Sequence, residues 1–167
     1  MRATFVASLL AGIMLTGSVF ADALPVPTGT VILQISGAIT NTNDGQVADF
    51  DLPMLTHLPG RATTTKSPWY DGAVTFNGPL GWALLNAVGA RGTMLRVTAL
   101  NDYVTDIPVA DFKDYPVILA TSLNGKDLSV RDRGPIFIIY PFDEASVLNN
   151  ETYYGRSAWQ VKSIEVY

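Results

Sequence analysis

Turn-forming residues divide this chain into apolar runs that are too short for a helical bundle. The 167 residues include 14 Gly and 10 Pro, which separate short runs rich in β-branched residues. Thr30–Ser36, Met94–Leu100 and Ile136–Tyr140 are such runs, and each predicts a strand. Asn124-Gly125 adds the signal of a two-residue β-hairpin. The pattern therefore predicts one compact α+β domain that is mainly β, with a few short helices.

Two segments carry helix signals. The clearer helix is predicted over Pro79–Val88, because Pro suits a first turn and Gly89 follows the end. A shorter helix is predicted over Leu52–Leu58, because Asp51 can cap its first turn. Trp82 falls opposite the apolar stripe of the clearer helix, at about 100° per residue. It is therefore a candidate partner interface or a side chain packed beneath a loop, and both interpretations stay open.

Residues 1–21 have the pattern of a secretory signal peptide. A basic residue, a short apolar region and small residues precede a predicted cleavage site between Ala21 and Asp22. The alternative is an N-terminal membrane anchor, which the short apolar run and the lack of a following basic cluster disfavour. We expect an exported, periplasmic protein with a poorly ordered lead-in segment over residues 22–29 and one domain over residues 30–167.

Composition excludes several classes of site. The chain has no Cys, which excludes disulfides, thiolate metal sites and a Cys nucleophile. Its one His, His57, excludes a two-His metal motif, and no Gly-rich nucleophile elbow accompanies it. We therefore interpret His57 as a surface or capping residue. Without residues 1–21, 146 residues remain with 10 Lys and Arg against 15 Asp and Glu, a balance that disfavours nucleic acid.

Aromatic and charged residues concentrate in four predicted loops. These loops are Pro68–Tyr70, Asn101–Tyr103, Arg131–Pro135 and Tyr153–Trp159. Aromatic faces with a few oriented Arg and Asp groups suit a planar, nitrogen-rich heterocycle. A carboxylate, here Asp102 or Asp132, can accept hydrogen bonds from the N–H groups of such a ring. It stays open whether the Arg residues and Asp132 instead form a structural ion-pair network. A paired-carboxylate hydrolase would need Asp102 and Asp132 to converge, and nothing in the sequence brings them together.

Five segments together resemble the sulfite-oxidase-type molybdopterin-binding domain. They are Gly78–Leu80 with the helix behind it, Asn101–Tyr103, Asn124–Leu128, Arg131–Pro135 and Ser157–Val166. Their order and spacing run through most of residues 30–167. The resemblance implies a single domain of this fold with mixed sheets. It also implies that catalytic members hold molybdenum through a Cys thiolate that follows the strand similar to Ala62–Ser67.

Two departures from the catalytic members bear on function. Thr65-Lys66-Ser67 occupies the neighbourhood of the thiolate, and Arg133 stands where catalytic members tend to carry His. A hydroxyl or an amine does not replace a soft thiolate ligand. Because the chemistry of such enzymes belongs to the metal cofactor, we expect a protein that is not an enzyme and holds no molybdenum cofactor.

The Cys-less, exported branch of this fold is similar to periplasmic pterin-binding proteins of the PruR type. The stretches that carry this similarity are Arg131–Pro141 and Tyr154–Trp159. It implies a metal-free pterin as the ligand and, as the partner, a membrane-bound sensor that makes or degrades cyclic di-GMP and so controls biofilm formation. The candidate pterin-binding residues are Trp69, Asn101, Asp102, Tyr103, Arg131, Asp132, Arg133, Tyr154, Arg156 and Trp159. Two alternatives stay open: a molybdopterin oxidoreductase with another metal ligand, and a scaffold subunit with a vestigial pocket.

Overall fold

The computed structural model describes residues 24–167, so the predicted signal peptide lies outside the described residues. The strands are β1 (Leu33–Gly37), β2 (Ala48–Phe50), β3 (Gly60–Ser67), β4 (Tyr70–Pro79), β5 (Met94–Ala99), β6 (Val104–Pro108), β7 (Ile118–Ala120), β8 (Ser122–Leu123), β9 (Lys126–Asp127), β10 (Phe137–Ile139) and β11 (Val161–Val166). The helices are α1 (Leu52–His57), α2 (Gly81–Ala87), α3 (Val109–Asp114) and α4 (Glu151–Arg156). No helix within residues 24–167 is long and apolar enough to cross a membrane.

The strands form three sheets. The first has the order β2-β1-β11-β5-β6 and is mixed, since β1 runs parallel to β11 and the other pairs are antiparallel. The second, β3-β4-β8-β9, is antiparallel throughout. The third is the antiparallel pair of β7 and β10. With four short helices, this architecture confirms the predicted α+β, mainly β fold.

The β7–β10 pair lies between two hydrophobic clusters. Every residue of both strands is buried. Because side chains alternate along a strand, Leu119 and Ile138 join the larger cluster, which contains the apolar residues of the five-stranded sheet. Their neighbours along the strands, such as Ile118 and Phe137, join a smaller cluster with Phe76 of β4. Strands buried on both faces have continuous apolar sequences, which explains the unbroken run over residues 136–140.

Turn chemistry positions the β8–β9 hairpin and α2. Asn124 and Gly125 have φ angles of 48° and 78°, the left-handed conformation that the two-residue hairpin requires, so this prediction is confirmed. Gly89 follows the end of α2 with a φ of 60°, also as predicted. The helix begins at Gly81 rather than Pro79, however, because Pro79 still belongs to β4 and pairs with β3.

The prediction of a loop over Tyr153–Trp159 is wrong for its first part, which belongs to α4. Asn150 caps this helix, since its side-chain Oδ1 accepts a hydrogen bond of 2.9 Å from the backbone N–H of Thr152. Two Tyr residues and Gly155 occupy the interior of the helix, and all three have lower helix propensity than Ala. The segment therefore gives almost no helix signal in the sequence.

Asp51 joins the lead-in segment to α1. Its Oδ1 accepts a hydrogen bond of 2.9 Å from the N–H of Met54, which is the predicted cap. Its Oδ2 accepts from the N–H groups of Thr28 and Gly29, both at 2.8 Å, so it attaches the end of the lead-in segment to α1. The hydrogen bonds from Met54 and Gly29 hold the pKa of Asp51 below its ordinary value of 3.8.

We predict that Asp51→Asn separates the two roles of this carboxylate. Asn is a good helix cap, so the bond to Met54 survives, but its second atom is an NH2 group that cannot accept from Thr28 or Gly29. Thermal unfolding at pH 7 should rank the melting temperatures as wild type, then Asp51→Asn, then Asp51→Ala.

The same carboxylate predicts a pH dependence. Because its pKa is lowered in the folded state, the stability that it contributes is present above pH 4 and is lost as the pH falls through the folded pKa. The melting temperature of Asp51→Asn should therefore fall less steeply below about pH 4 than that of the wild type. Identical acid profiles would contradict this assignment.

Candidate functional site

A cavity of about 470 Å³ lies where the β3–β4 turn, the β5–β6 turn and α4 meet. Its volume is within the range of small-molecule sites, and four of its ten lining residues are aromatic. The lining residues are Pro68, Trp69, Asn101, Tyr103, Glu151, Tyr154, Gly155, Ser157, Ala158 and Trp159. Five of the ten predicted ligand-binding residues are among them: Trp69, Asn101, Tyr103, Tyr154 and Trp159. The structure thus brings together residues from three of the four predicted loops.

Trp69 forms the centre of the aromatic wall. Its ring centroid lies 6.1 Å from those of Tyr154 and Trp159, in edge-to-face geometry. On its other sides it meets Phe137 at 5.1 Å and Phe142 at 6.1 Å. Such pairs contribute about 0.5–1.5 kcal/mol each beyond their buried area. Trp69 therefore has its orientation set by four rings, and it presents a rigid surface to the cavity.

One face of α4 forms another wall. Glu151, Tyr154 and Gly155 have the spacing i, i+3, i+4, which places them on the same side of a helix. The sequence analysis interprets Tyr153–Trp159 as a loop, so it does not predict that Glu151 shares a helix face with Tyr154. The signal that could have found it is Asn150 as a helix cap, which starts the helix at Glu151.

The β5–β6 turn is fastened to α4 by one hydrogen bond. The hydroxyl of Tyr103 donates to the backbone carbonyl oxygen of Gly155 at 2.9 Å. The turn itself is shaped by Asn101, whose side-chain oxygen accepts from the N–H of Tyr103 at 3.2 Å. Tyr103 and Gly155 both line the cavity, so the hydrogen bond between them fixes the distance between two of its walls.

The charges around the cavity are few. Glu151 is the one charged residue among those that line it within the described part of the chain. Arg133 lies behind the wall, with its guanidinium carbon 4.9 Å from the ring centroid of Tyr70 and 5.8 Å from that of Trp159. It forms no ion pair with a carboxylate in residues 24–167. Its charge is instead stabilised by aromatic faces.

Five predicted ligand-binding residues, Arg133 among them, are not among the lining residues, and four of the five have other partners. Asp102 accepts from Lys162 Nζ at 2.7 Å, and this hydrogen bond holds the pKa of Asp102 below its usual range. Asp132 accepts from the Ser129 hydroxyl at 2.7 Å. Arg131 is exposed in the turn before β10. Asp102 and Asp132 therefore serve separate local contacts.

Arg156 takes part in a polar network behind α4, in which Asp111 and Tyr140 are buried and Arg156 is partly buried. Its Nη1 lies 2.9 Å from Oδ2 of Asp111 on α3, and the hydroxyl of Tyr140 donates to the same oxygen at 2.8 Å. Tyr140 is fully buried. Burial first, and the Asp111 carboxylate second, raise the pKa of Tyr140 far above its usual range, so its hydroxyl stays protonated. Arg156 therefore forms a structural ion pair, and its partner is Asp111 rather than Asp132.

His57 lies at the end of α1, away from the cavity. It is exposed, and its Nδ1 is 2.6 Å from the carbonyl oxygen of Pro53 within the same helix. This local contact agrees with the interpretation of a surface residue.

Among solved structures, the chain is similar to the sulfane dehydrogenase SoxCD from Paracoccus pantotrophus. The TM-score is 0.59 with 16% sequence identity, and the match covers 81% of this chain and 37% of that chain. This likeness supports the expected sulfite-oxidase-like fold. It does not bear on the Cys-less, pterin-binding branch of that fold. No family model matches the chain, and no curated protein matches it.

The donor set does not fit molybdenum. The sequence has no Cys, and residues 24–167 contain no group of three His, Cys, Asp or Glu side chains that could hold a metal ion. At the end of β3, Thr65 accepts from the N–H of Asp143 at 3.1 Å, and the Ser67 hydroxyl is buried without a hydrogen-bond partner. These hydroxyls are hard oxygen donors rather than soft thiolates. The aromatic walls suit a planar ring, whereas the side chains present do not suit molybdenum.

Proposed function

We propose that this protein binds a metal-free pterin in the cavity between Trp69 and α4, and that it is not an enzyme. The observation that carries the proposal is the aromatic wall of Trp69, Tyr154 and Trp159 beside one carboxylate, Glu151. A pterin is a planar ring with adjacent amino and amide N–H groups. The wall offers it apolar contact, and the carboxylate offers two acceptor oxygens.

In this proposal Glu151 takes the acceptor role that the sequence suggested for Asp102 or Asp132. Glu151 lies in the first turn of α4, on the cavity face, and makes no ion pair in the described residues. Hydrogen bonds to an ionised group are about twice as strong as neutral ones. Arg133 supplies positive charge behind Trp159, next to the ring that contacts the ligand.

Titration of the purified protein with neopterin tests the proposal. We expect a dissociation constant in the micromolar range, or about −8 kcal/mol. Glu151→Gln should weaken binding by about tenfold, because it replaces charge-assisted bonds by neutral ones. The matched control is Glu165→Gln, an exposed carboxylate on β11 outside the cavity, which should leave the affinity unchanged.

Two outcomes would contradict the proposal. One is no binding of neopterin at high micromolar concentration by folded wild-type protein, which would favour a scaffold with a vestigial pocket. The other is an equal loss of affinity in Glu151→Gln and Glu165→Gln, because a loss at both sites would come from net charge rather than from the cavity.

We propose further that the protein is exported to the periplasm and acts on a membrane-bound sensor with cyclic di-GMP cyclase or phosphodiesterase domains. Support comes from the signal-peptide pattern of residues 1–21 and from the sequence resemblance described above. Trp82 is the candidate contact for this partner. It is 40% exposed on α2 and does not line the cavity, whereas large aromatic residues are enriched in protein interfaces.

Trp82→Ala should weaken association with this partner while leaving neopterin affinity and thermal stability near wild-type values. The physical reason is that truncation of an exposed aromatic anchor removes interface area but little core packing. Co-purification with the periplasmic part of the sensor measures association. Unchanged association and signalling by a folded Trp82→Ala variant would show that the contact lies elsewhere.

The second candidate function is a molybdopterin-dependent oxidoreductase, which the fold likeness to a sulfane dehydrogenase favours. Metal analysis of protein from molybdenum-replete cells separates the two functions. We expect no stoichiometric molybdenum, because the sequence supplies no thiolate ligand. A molybdoenzyme purified from the same cells controls for cofactor supply. Stoichiometric molybdenum with a phosphorylated pterin would overturn the proposal of a metal-free site.

A further inference from the structure

Helix α4 cannot hold its own position. It has six residues, and none of them is buried. A helix this short is unstable in water, because nucleation fixes several backbone angles for a single hydrogen bond. The Asn150 cap at its start is a contact within the same segment. The position of α4, and with it one cavity wall, therefore depends on contacts with the rest of the fold.

Two such contacts hold opposite sides of α4. On the cavity side, the Tyr103 hydroxyl donates to the carbonyl oxygen of Gly155 at 2.9 Å. On the far side, Arg156 forms its ion pair with Asp111, and its guanidinium carbon lies 5.3 Å from the ring centroid of Tyr153. Tyr153 and Arg156 have the spacing i, i+3 and share this far face.

The anchor on the far side is rigid. Asp111 is 7% exposed on α3, and its Oδ2 is held from within the core by the hydroxyl of Tyr140. Tyr140 is fully buried and its ring packs against Tyr153 at a centroid distance of 5.3 Å. A guanidinium bound to a fixed, buried carboxylate has little freedom to move, since its departure would leave the Asp111 carboxylate without a charged partner in the interior.

We infer that Arg156 is a positioning residue for the cavity, which acts by tying α4 to Asp111 and so sets where Glu151 and Tyr154 stand. Arg156 itself is not a lining residue. The inference rests on the proposed function for its binding readout. It adds that the affinity for the ligand depends on an ion pair on the side of the helix that faces away from the cavity.

The test compares Arg156→Gln, Arg156→Lys and Arg96→Gln. Arg96 is the matched control, because its ion pair with Asp106 joins β5 to β6 without touching α4. Neopterin affinity is measured by titration, and amide hydrogen exchange over residues 151–157 reports the order of α4. We expect Arg156→Gln to weaken binding by about tenfold and to speed exchange in α4. Arg156→Lys keeps the positive charge and should restore most of both properties, and Arg96→Gln should change neither.

Each other outcome has a definite meaning. Unchanged affinity and exchange in a folded Arg156→Gln variant would overturn the inference. Weaker binding with unchanged exchange would also overturn it, because Arg156 would then contact the ligand directly. If Arg156→Gln does not fold, Arg156→Lys against wild type gives the same comparison over a smaller range. If the wild type binds no neopterin, the proposed function fails, whereas the exchange data still decide whether Arg156 holds α4.

Discussion

Antiparallel pairing between β7 and β10 gives two hydrophobic clusters a common wall. Each strand contributes side chains to both clusters, because alternation along a strand sends successive residues to opposite faces. Burial of one Ile, Leu or Phe side chain contributes about 1.5–3 kcal/mol, whereas an exposed ion pair such as Arg96–Asp106 contributes about 0–1 kcal/mol. The stability of the domain therefore depends mainly on this pair and the sheets that pack on it.

The candidate site is packed against the same strand pair and its two clusters. Trp69 lies in the turn between β3 and β4, and it packs against both clusters at once. Its contact with Phe137 of β10 connects the cavity wall directly to the central strand pair. The aromatic surface offered to a ligand is thus an extension of the core, and the α4 side of the cavity adds polar contacts to this aromatic packing.

Local chemistry in the sequence predicts local structure well. Asp51 predicts the start of α1 and Asn124-Gly125 predicts a hairpin, since cap and turn are decided within a few residues. The candidate site is harder to predict, because the residues that contact one another in it are far apart along the chain. Arg156 and Asp111 are separated by 45 residues, and only the folded chain shows that they meet. The prediction of a loop over Tyr153–Trp159 is wrong up to Arg156, and without α4 there is no helix face that Glu151 and Tyr154 share.

The contacts of Asp51 have a consequence for how the sequence can change over time. Its two short hydrogen bonds to the lead-in segment, at 2.8 Å, come from main-chain N–H groups of Thr28 and Gly29, whereas the Thr28 hydroxyl lies farther away at 3.5 Å. Almost any residue supplies such a group, so mutation can alter these two positions widely without losing the attachment. Proline is the exception, since it has no N–H to donate. The acid at position 51 carries the constraint alone, and a family of related chains should therefore preserve it while its two partners drift.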